Sequence, residues 1–225
     1  MKNPHTPVTT LLFDMDNTLF DLVGAQIAAC HAVVQQFGHD DGEELFSYFL
    51  TPTHGYESHE NIRQYMNERS IPPDGLFRKA CQVYETVKLQ HIFPYEGVFD
   101  TLRILNNQKY SMGIVTDAHS RDATLRLEKT GLLPFFCCMV SYDMVKVKKP
   151  APEPFIFALE MLKARPDETV LVGDSPRRDI EPCRNLGIRT VYARYGDRFS
   201  RDRNSVAADF IIDAMEELPE ILNQL

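Results

Sequence analysis

The chain is predicted to be an α/β protein, a doubly wound parallel sheet into which an all-helical block is inserted. Three features of its 225 residues predict this. From residue 97 onward, short apolar runs alternate with amphipathic helical stretches, the pattern of βα units that build a parallel sheet through right-handed crossovers. Leu11-Leu12-Phe13 is apolar on both strand faces, the habit of a central strand covered on both sides. Between residues 21 and 92 helical periodicity continues with no strand signal.

The first strand ends at Asp14, with Asp16 two residues on, and sheets of this kind bind ligands where their strands stop. Asp16 has already left the strand, so its side chain can face Asp14 across a small gap. That geometry suits a nucleophile and a proton carrier; a loop with two solvated acids is the plainer reading. Val23, Ile27, Cys30, Val34 and Phe37 recur at helical spacing, which predicts a helix over 21–37 ended by Gly38. Shorter helices are predicted at 41–50 and 58–69, and Phe77, Cys81, Tyr84, Lys88 and His91 mark one face of a longer one. The borders of this block, Phe20-Asp21 and Pro94 to Gly97, favour turns and a hinge. Residues 1–20 and 93–225 are therefore expected to form the sheet domain, and 21–92 a helical cap over the acidic strand end.

Beyond the block, helices are predicted at 97–107, 120–130, 154–164, 176–186 and 214–223, and strands at 110–115, 137–140, 169–173, 189–193 and 209–212. Residues 194–207 carry four arginines among aspartates without periodicity and read as solvated loop. No internal repeat or low-complexity segment is present.

A net charge of −8, a pI near 5.4 and the lack of clustered Lys/Arg argue against nucleic acid or an anionic membrane as the main partner. No apolar run approaches 18 residues and the start, Met1 to Pro7, lacks the hydrophobic segment of a secretion signal, so a cytoplasmic location is expected. The five cysteines, odd in number and without CxxC spacing, read as reduced packing residues. Oligomeric state, monomer or homodimer, stays open.

Three further strands finish in polar residues that the topology sends to the same edge. Ile114-Val115 runs into Thr116-Asp117, Val140 is followed after a short excursion by Lys148-Lys149-Pro150, and Leu171 to Gly173 runs into Asp174-Ser175, with Asp179 five residues on. Singly, each has an ordinary reading as helix cap or surface charge. Their recurrence on successive strand ends is harder to explain that way.

The set Asp14-x-Asp16-x-Thr18, Thr116, Lys149-Pro150-x-Pro152 and Gly173-Asp174-Ser175 with Asp179 resembles the four motifs of the haloacid dehalogenase-like hydrolase superfamily. The resemblance covers nearly the whole chain. It implies a Rossmann-like core with a helical cap after the first strand. It also implies that Asp14 attacks the phosphorus of a phosphomonoester and becomes an aspartyl-phosphate. Asp16 would protonate the leaving alkoxide and then take a proton from water, work worth about 10²- to 10⁴-fold in rate. Because two negative charges about 4 Å apart repel by about 4 kcal/mol at an effective dielectric near 20, Asp14, Asp174 and a phosphate require a dication. Mg²⁺ would be bound by the Asp14 and Asp174 carboxylates and the Asp16 carbonyl. Lys149, Thr116 and the Asp117 backbone N–H would hold the phosphoryl oxygens, and Asp179 would orient Lys149 or a metal-bound water. Thr18 completes the first motif. Asp117 stands where the family often has Asn. Dehalogenases lack an acid at the Asp16 position, so the resemblance points to the phosphatase branch and a small phosphorylated metabolite.

A phosphomutase acting on a sugar phosphate, a phospho-receiver module and a catalytically silent relative are the competing readings. The polar stretch Thr53 to Asn61 between cap helices could reach a leaving group or be plain connection, and His31, His39, His91 and His119 read as surface or core residues.

Overall fold

A computed structural model describes residues 6–225; of the start read above, Met1 to Pro7, the part Met1 to His5 lies outside the described residues. The chain divides into two compact units, one of the residues up to Asp21 together with Phe93–Leu225, the other Leu22–Ile92.

The first unit holds a six-stranded, all-parallel sheet: β1 Thr10–Phe13, β2 Ser111–Val115, β3 Cys138–Val140, β4 Thr169–Gly173, β5 Arg189–Ala193 and β6 Phe210–Ile212, in spatial order β3-β2-β1-β4-β5-β6. β1 is central, and Phe13 pairs in register with Ile114 on one side and Val172 on the other. Leu11, Leu12 and Phe13 are fully buried, as the two-sided apolar run required. Because the strands are parallel and in register, Asp14, Thr116 and Asp174 each follow the last residue of their strand at one edge of the sheet.

The α-helices of the two units are, in chain order, α1 Leu22–Gln35, α2 Gly42–Phe49, α3 Glu60–Glu68, α4 Leu76–Gln90, α5 Val98–Asn107, α6 Ser120–Thr130, α7 Tyr142–Val145, α8 Glu153–Leu162, α9 Glu181–Asn185 and α10 Leu218–Leu222. α1 stops where Gly38 takes φ 77° and the Gly38 and His39 N–H groups bond back to Gln35 and Val34. The helical unit, α1 to α4, closes on its own core of Cys30, Val34, Phe49, Ile62, Tyr65 and Tyr84, with Phe49 and Tyr84 stacked at 4.9 Å.

Three stretches differ from the sequence expectation. The helix expected over 176–186 opens as a wide π-type turn, Pro176–Ile180, because Asp179 and Ile180 both donate to the Ser175 carbonyl, and it becomes regular only in α9. The excursion after β3 contains the short α7. Residues 194–207 are not uniformly solvated: Gly196 and Asp197 are buried, and the Asp197 carboxylate accepts from the Tyr192 hydroxyl and from the Phe199 and Ser200 N–H groups. All five cysteines are free thiols, and no described helix is long and apolar enough to cross a membrane.

Candidate active site

The first motif leaves β1 as a tight turn. Asp14 keeps the sheet ladder through its N–H to Val172 O (2.9 Å), and the chain then folds back so that Leu19 N reaches Met15 O (2.9 Å). Asn17 takes a left-handed conformation (φ 63°), which asparagine tolerates better than most residues. The Thr18 hydroxyl donates to Asp14 Oδ2 (3.3 Å) and accepts from Asp174 N (3.1 Å), tying the ends of β1 and β4 together. Thr18 is thus a strut between two acids.

Lys149 arrives from the loop before α8 and is almost wholly buried. Its ammonium donates to Asp14 Oδ1 (2.5 Å), Asp179 Oδ1 (2.7 Å) and Val115 O (3.2 Å). Burial alone would make the amine easier to deprotonate, but the charges of Asp14, Asp179 and Asp117 outweigh that and hold it above the ordinary lysine range. Asp14 is likewise pulled both ways: burial raises it, while Lys149 and Arg178 win and keep it below the usual carboxylate range. Asp174 has no contact with Lys149, and the pull of Arg178 on it is too weak to win. Burial, then the charges of Asp14 and Asp179, push it well above its ordinary value, and its Oδ1 is buried with no hydrogen-bond partner. Asp179, fully buried, is raised by burial against the pull of Lys149, and its Oδ2 accepts from Ser175 N (3.0 Å).

Carboxylate oxygens of Asp14, Asp174 and Asp179 lie within 4.8 Å of one another, all three residues buried. Three clustered acids and one orphaned oxygen among them are a donor set for a hard dication; Mg²⁺, which prefers oxygen ligands, fits it. Gly173 allows the cluster to form, since a Cβ there would lie 2.7 Å from Asp179 Cβ.

The sequence-predicted residues therefore fall into three groups. Asp14, Thr18, Lys149, Asp174 and Asp179 share one hydrogen-bonded cluster. Thr116 is buried at the end of β2, its Oγ1 accepting from Ala118 N (3.1 Å), while the Asp117 carboxylate accepts from Lys149 N (2.9 Å) and sits 3.5 Å from the Arg178 guanidinium. The Asp16 carboxylate is engaged elsewhere: both oxygens accept from Arg126 Nη1, at 2.8 and 2.9 Å.

Arg126, Arg178, Tyr195 and Gly196 were missed by sequence reasoning. Arg126 left a signal, since it shares a face of α6 with Ala123 and Leu127 and an arginine on a buried stripe calls for an acid partner. Tyr195 donates to Thr18 O (2.7 Å), and Gly196 lies so close to the first-motif turn that a Cβ would strike Asn17 O. Nothing in the loop composition announces either contact.

The sequence profile of the haloacid dehalogenase-like hydrolases matches residues 11–193, from the first residues of β1 to the end of β5. The chain belongs to this family. It is 30% identical to the pyrophosphatase PpaX of Bacillus mycoides over 97% of this chain and 98% of that protein. Among solved structures it is similar to the HAD phosphatase of Thermococcus onnurineus, with a TM-score of 0.70, 26% identity and coverage of 96% and 99% of the two chains. It also shares its fold with the 2-haloacid dehalogenase of Pseudomonas syringae, TM-score 0.67 at 20% identity over 96% and 99% of the chains. The protein is thus a haloacid dehalogenase-like hydrolase, and the fold alone serves both dehalogenase and phosphatase relatives.

Proposed function

We propose that the protein is a Mg²⁺-dependent phosphatase that cleaves a small phosphomonoester through an aspartyl-phosphate on Asp14. The observation that carries this is the pairing of Asp14 with Lys149 beside the orphaned oxygen of Asp174. An ammonium against a carboxylate at a strand end supplies both a nucleophile and a charge for phosphoryl oxygens.

In this reading an Asp14 oxygen attacks phosphorus in line, forming the acyl-phosphate bond as the bond to the leaving oxygen breaks. Asp16 gives that oxygen its proton and, now a carboxylate, takes one from the water that cleaves the acyl phosphate. Lys149 neutralises phosphoryl charge while Asp179 holds its ammonium in place, and Thr116 and the Asp117 N–H donate to phosphoryl oxygens. Mg²⁺ would be held by Asp14 and Asp174, with the Asp16 carbonyl, and when bound supplies positive charge that lets the acids and a phosphate share the site. The acid at position 16 favours phosphate ester over haloacid, because expelling a halide needs no proton.

Two expectations carry over into this reading: the helical unit acts as a cap that selects the leaving group, and the substrate is a small phosphorylated metabolite. The pyrophosphatase at 30% identity puts pyrophosphate among the compounds to try first. The test is phosphate release from p-nitrophenyl phosphate, pyrophosphate and a panel of metabolite monoesters, with Mg²⁺ and with EDTA. Asp14→Asn is expected to abolish release while leaving the thermal transition cooperative. Release by Asp14→Asn at the wild-type rate would refute the mechanism.

A further inference from the structure

Arg126 sits on α6, remote in sequence from the first motif, yet its guanidinium meets the Asp16 carboxylate. One nitrogen, Nη1, spans both Asp16 oxygens at 2.8 and 2.9 Å. The arginine side chain is 3% exposed and that of Asp16 is 17% exposed, so the contact is made largely out of water.

A purely structural role explains this poorly. Burying an ion pair returns little net stability against well-packed apolar side chains, and α6 is already anchored by Ala123 and Leu127, both fully buried. An apolar residue at position 126 would continue that stripe at no electrostatic cost. The contrast with Asp14 is informative. Asp14 is fixed by Lys149, by Thr18 and by its own place in the sheet, whereas Asp16 lies past the end of β1 and gains its orientation from a side chain mounted on a helix. Groups held by helices are placed more precisely than groups held by loops alone, and misplacement by about 1 Å can cost about 10²-fold in rate.

We infer that Arg126 is a positioning residue for the acid/base: it fixes the Asp16 carboxylate in the orientation from which it serves the leaving oxygen. The inference rests on the reading of Asp16 as general acid given above, and it names a residue outside the four motifs.

The test compares kcat/KM on p-nitrophenyl phosphate and on phenyl phosphate, whose phenolate leaves less readily and so depends more on the acid. kcat/KM covers the steps up to the first irreversible one, which includes departure of the phenolate. Arg126→Ala is expected to lower kcat/KM on phenyl phosphate by about 10- to 100-fold and on p-nitrophenyl phosphate by clearly less. Arg126→Lys, which keeps the charge and the fold but shortens the reach, should fall between Arg126→Ala and wild type. In an Asp16→Asn background, Arg126→Ala should move the ratio of the two substrates no further. A merely structural arginine would lower both substrates equally and leave the ratio unchanged in Arg126→Ala and Arg126→Lys; that result overturns the inference. Asp16→Asn with wild-type kcat/KM on both substrates would instead overturn the acid/base reading, and this inference with it. If Arg126→Ala does not fold, the Arg126→Lys ratio decides alone.

Discussion

Replacing Asp174 by Asn is expected to stabilise the protein without divalent cations and to remove its response to Mg²⁺. Asp174 is 3% exposed, and oxygens of Asp14, Asp174 and Asp179 lie within 4.8 Å of one another. At that separation and an effective dielectric near 20, each pair of ionised carboxylates repels by about 3.5 kcal/mol. Lys149 and Arg178 cancel part of this, leaving a net penalty of about 1–3 kcal/mol. The sign follows from linkage. Burial and the neighbouring acids raise Asp174 well above its ordinary 3.8, so its contribution is fully present below about pH 3.8 and is lost as pH rises. The amide carries no such loss, and its N–H can donate to a neighbouring carboxylate. Urea unfolding in EDTA at pH 7 should therefore place Asp174→Asn about 1–3 kcal/mol above wild type, with the gap closing toward pH 4. At 100-fold excess over Kd, Mg²⁺ should stabilise wild type by about 2.7 kcal/mol and leave the variant unmoved. A variant less stable than wild type in EDTA, or equally stabilised by Mg²⁺, would refute the assignment of Asp174 as an acid held for a cation.

The opposite sign is expected at Lys149. Lys149→Met leaves Asp14 and Asp179 buried without their ammonium and should cost about 3–5 kcal/mol at pH 7 in urea unfolding, with activity lost; wild-type stability would show that the pair is not what balances the cluster. In the helical unit, burial raises Asp41 and Glu85, but hydrogen bonds from Tyr65 and Arg69, and from His59 with the charge of Lys88, outweigh it and hold both at about 2. Their folded values lie below the ordinary 3.8 and 4.5, so the stability they add is present above those values and lost as pH falls toward 2. The helical circular dichroism should therefore fall between pH 4.5 and 2 at moderate urea, and Asp41→Asn with Glu85→Gln should flatten that fall.

The sheet was legible because its strands are apolar on both faces and its helices on one, and both patterns survive in a single sequence. β4 and β5 were placed to the residue, and Leu11 to Phe13 are as buried as their run implied. Asp14 and Asp174 follow directly on strands whose ends the topology fixes, and the order of the motifs brings Lys149 and Asp179 to the same edge, whereas Asp16, expected to face Asp14, turns to Arg126. Contacts made by loops across the sheet edge were not legible. Tyr195 reaches Thr18 O from a stretch whose charges and lack of period imitate solvated loop, and no pattern within one segment reports the distance to another. The π-type turn at Pro176 was hidden for a similar reason, since Pro, Arg and Asp fit an ordinary helix start and only the doubled bond to Ser175 O distinguishes the two.

The charge on Asp117 gains its meaning from Arg178. At position 117 this chain has a carboxylate whose Oδ1 accepts from Lys149 N at 2.9 Å, a bond an amide oxygen would make equally well. The negative charge is therefore surplus to the hydrogen bond, and unanswered it would repel a phosphate. Arg178 answers it: its Nη1 lies 3.5 Å from Asp117 Oδ2, and although burial disfavours its charge, Asp179, Asp14, Asp174 and Asp117 hold it firmly cationic. Arg178 thus offsets the Asp117 charge locally while it also faces the charges of Asp179, Asp14 and Asp174. Removing the acid should then leave the arginine's charge available to an anion, so Asp117→Asn is expected to tighten competitive inhibition by inorganic phosphate by about fivefold, equivalent to about 1 kcal/mol for a part-exposed charge. Arg178→Ala should weaken it, and the double variant should return close to wild type. Unchanged inhibition in Asp117→Asn, or a double variant that stays as weakly inhibited as Arg178→Ala, would mean that the pair does not balance charge at this site.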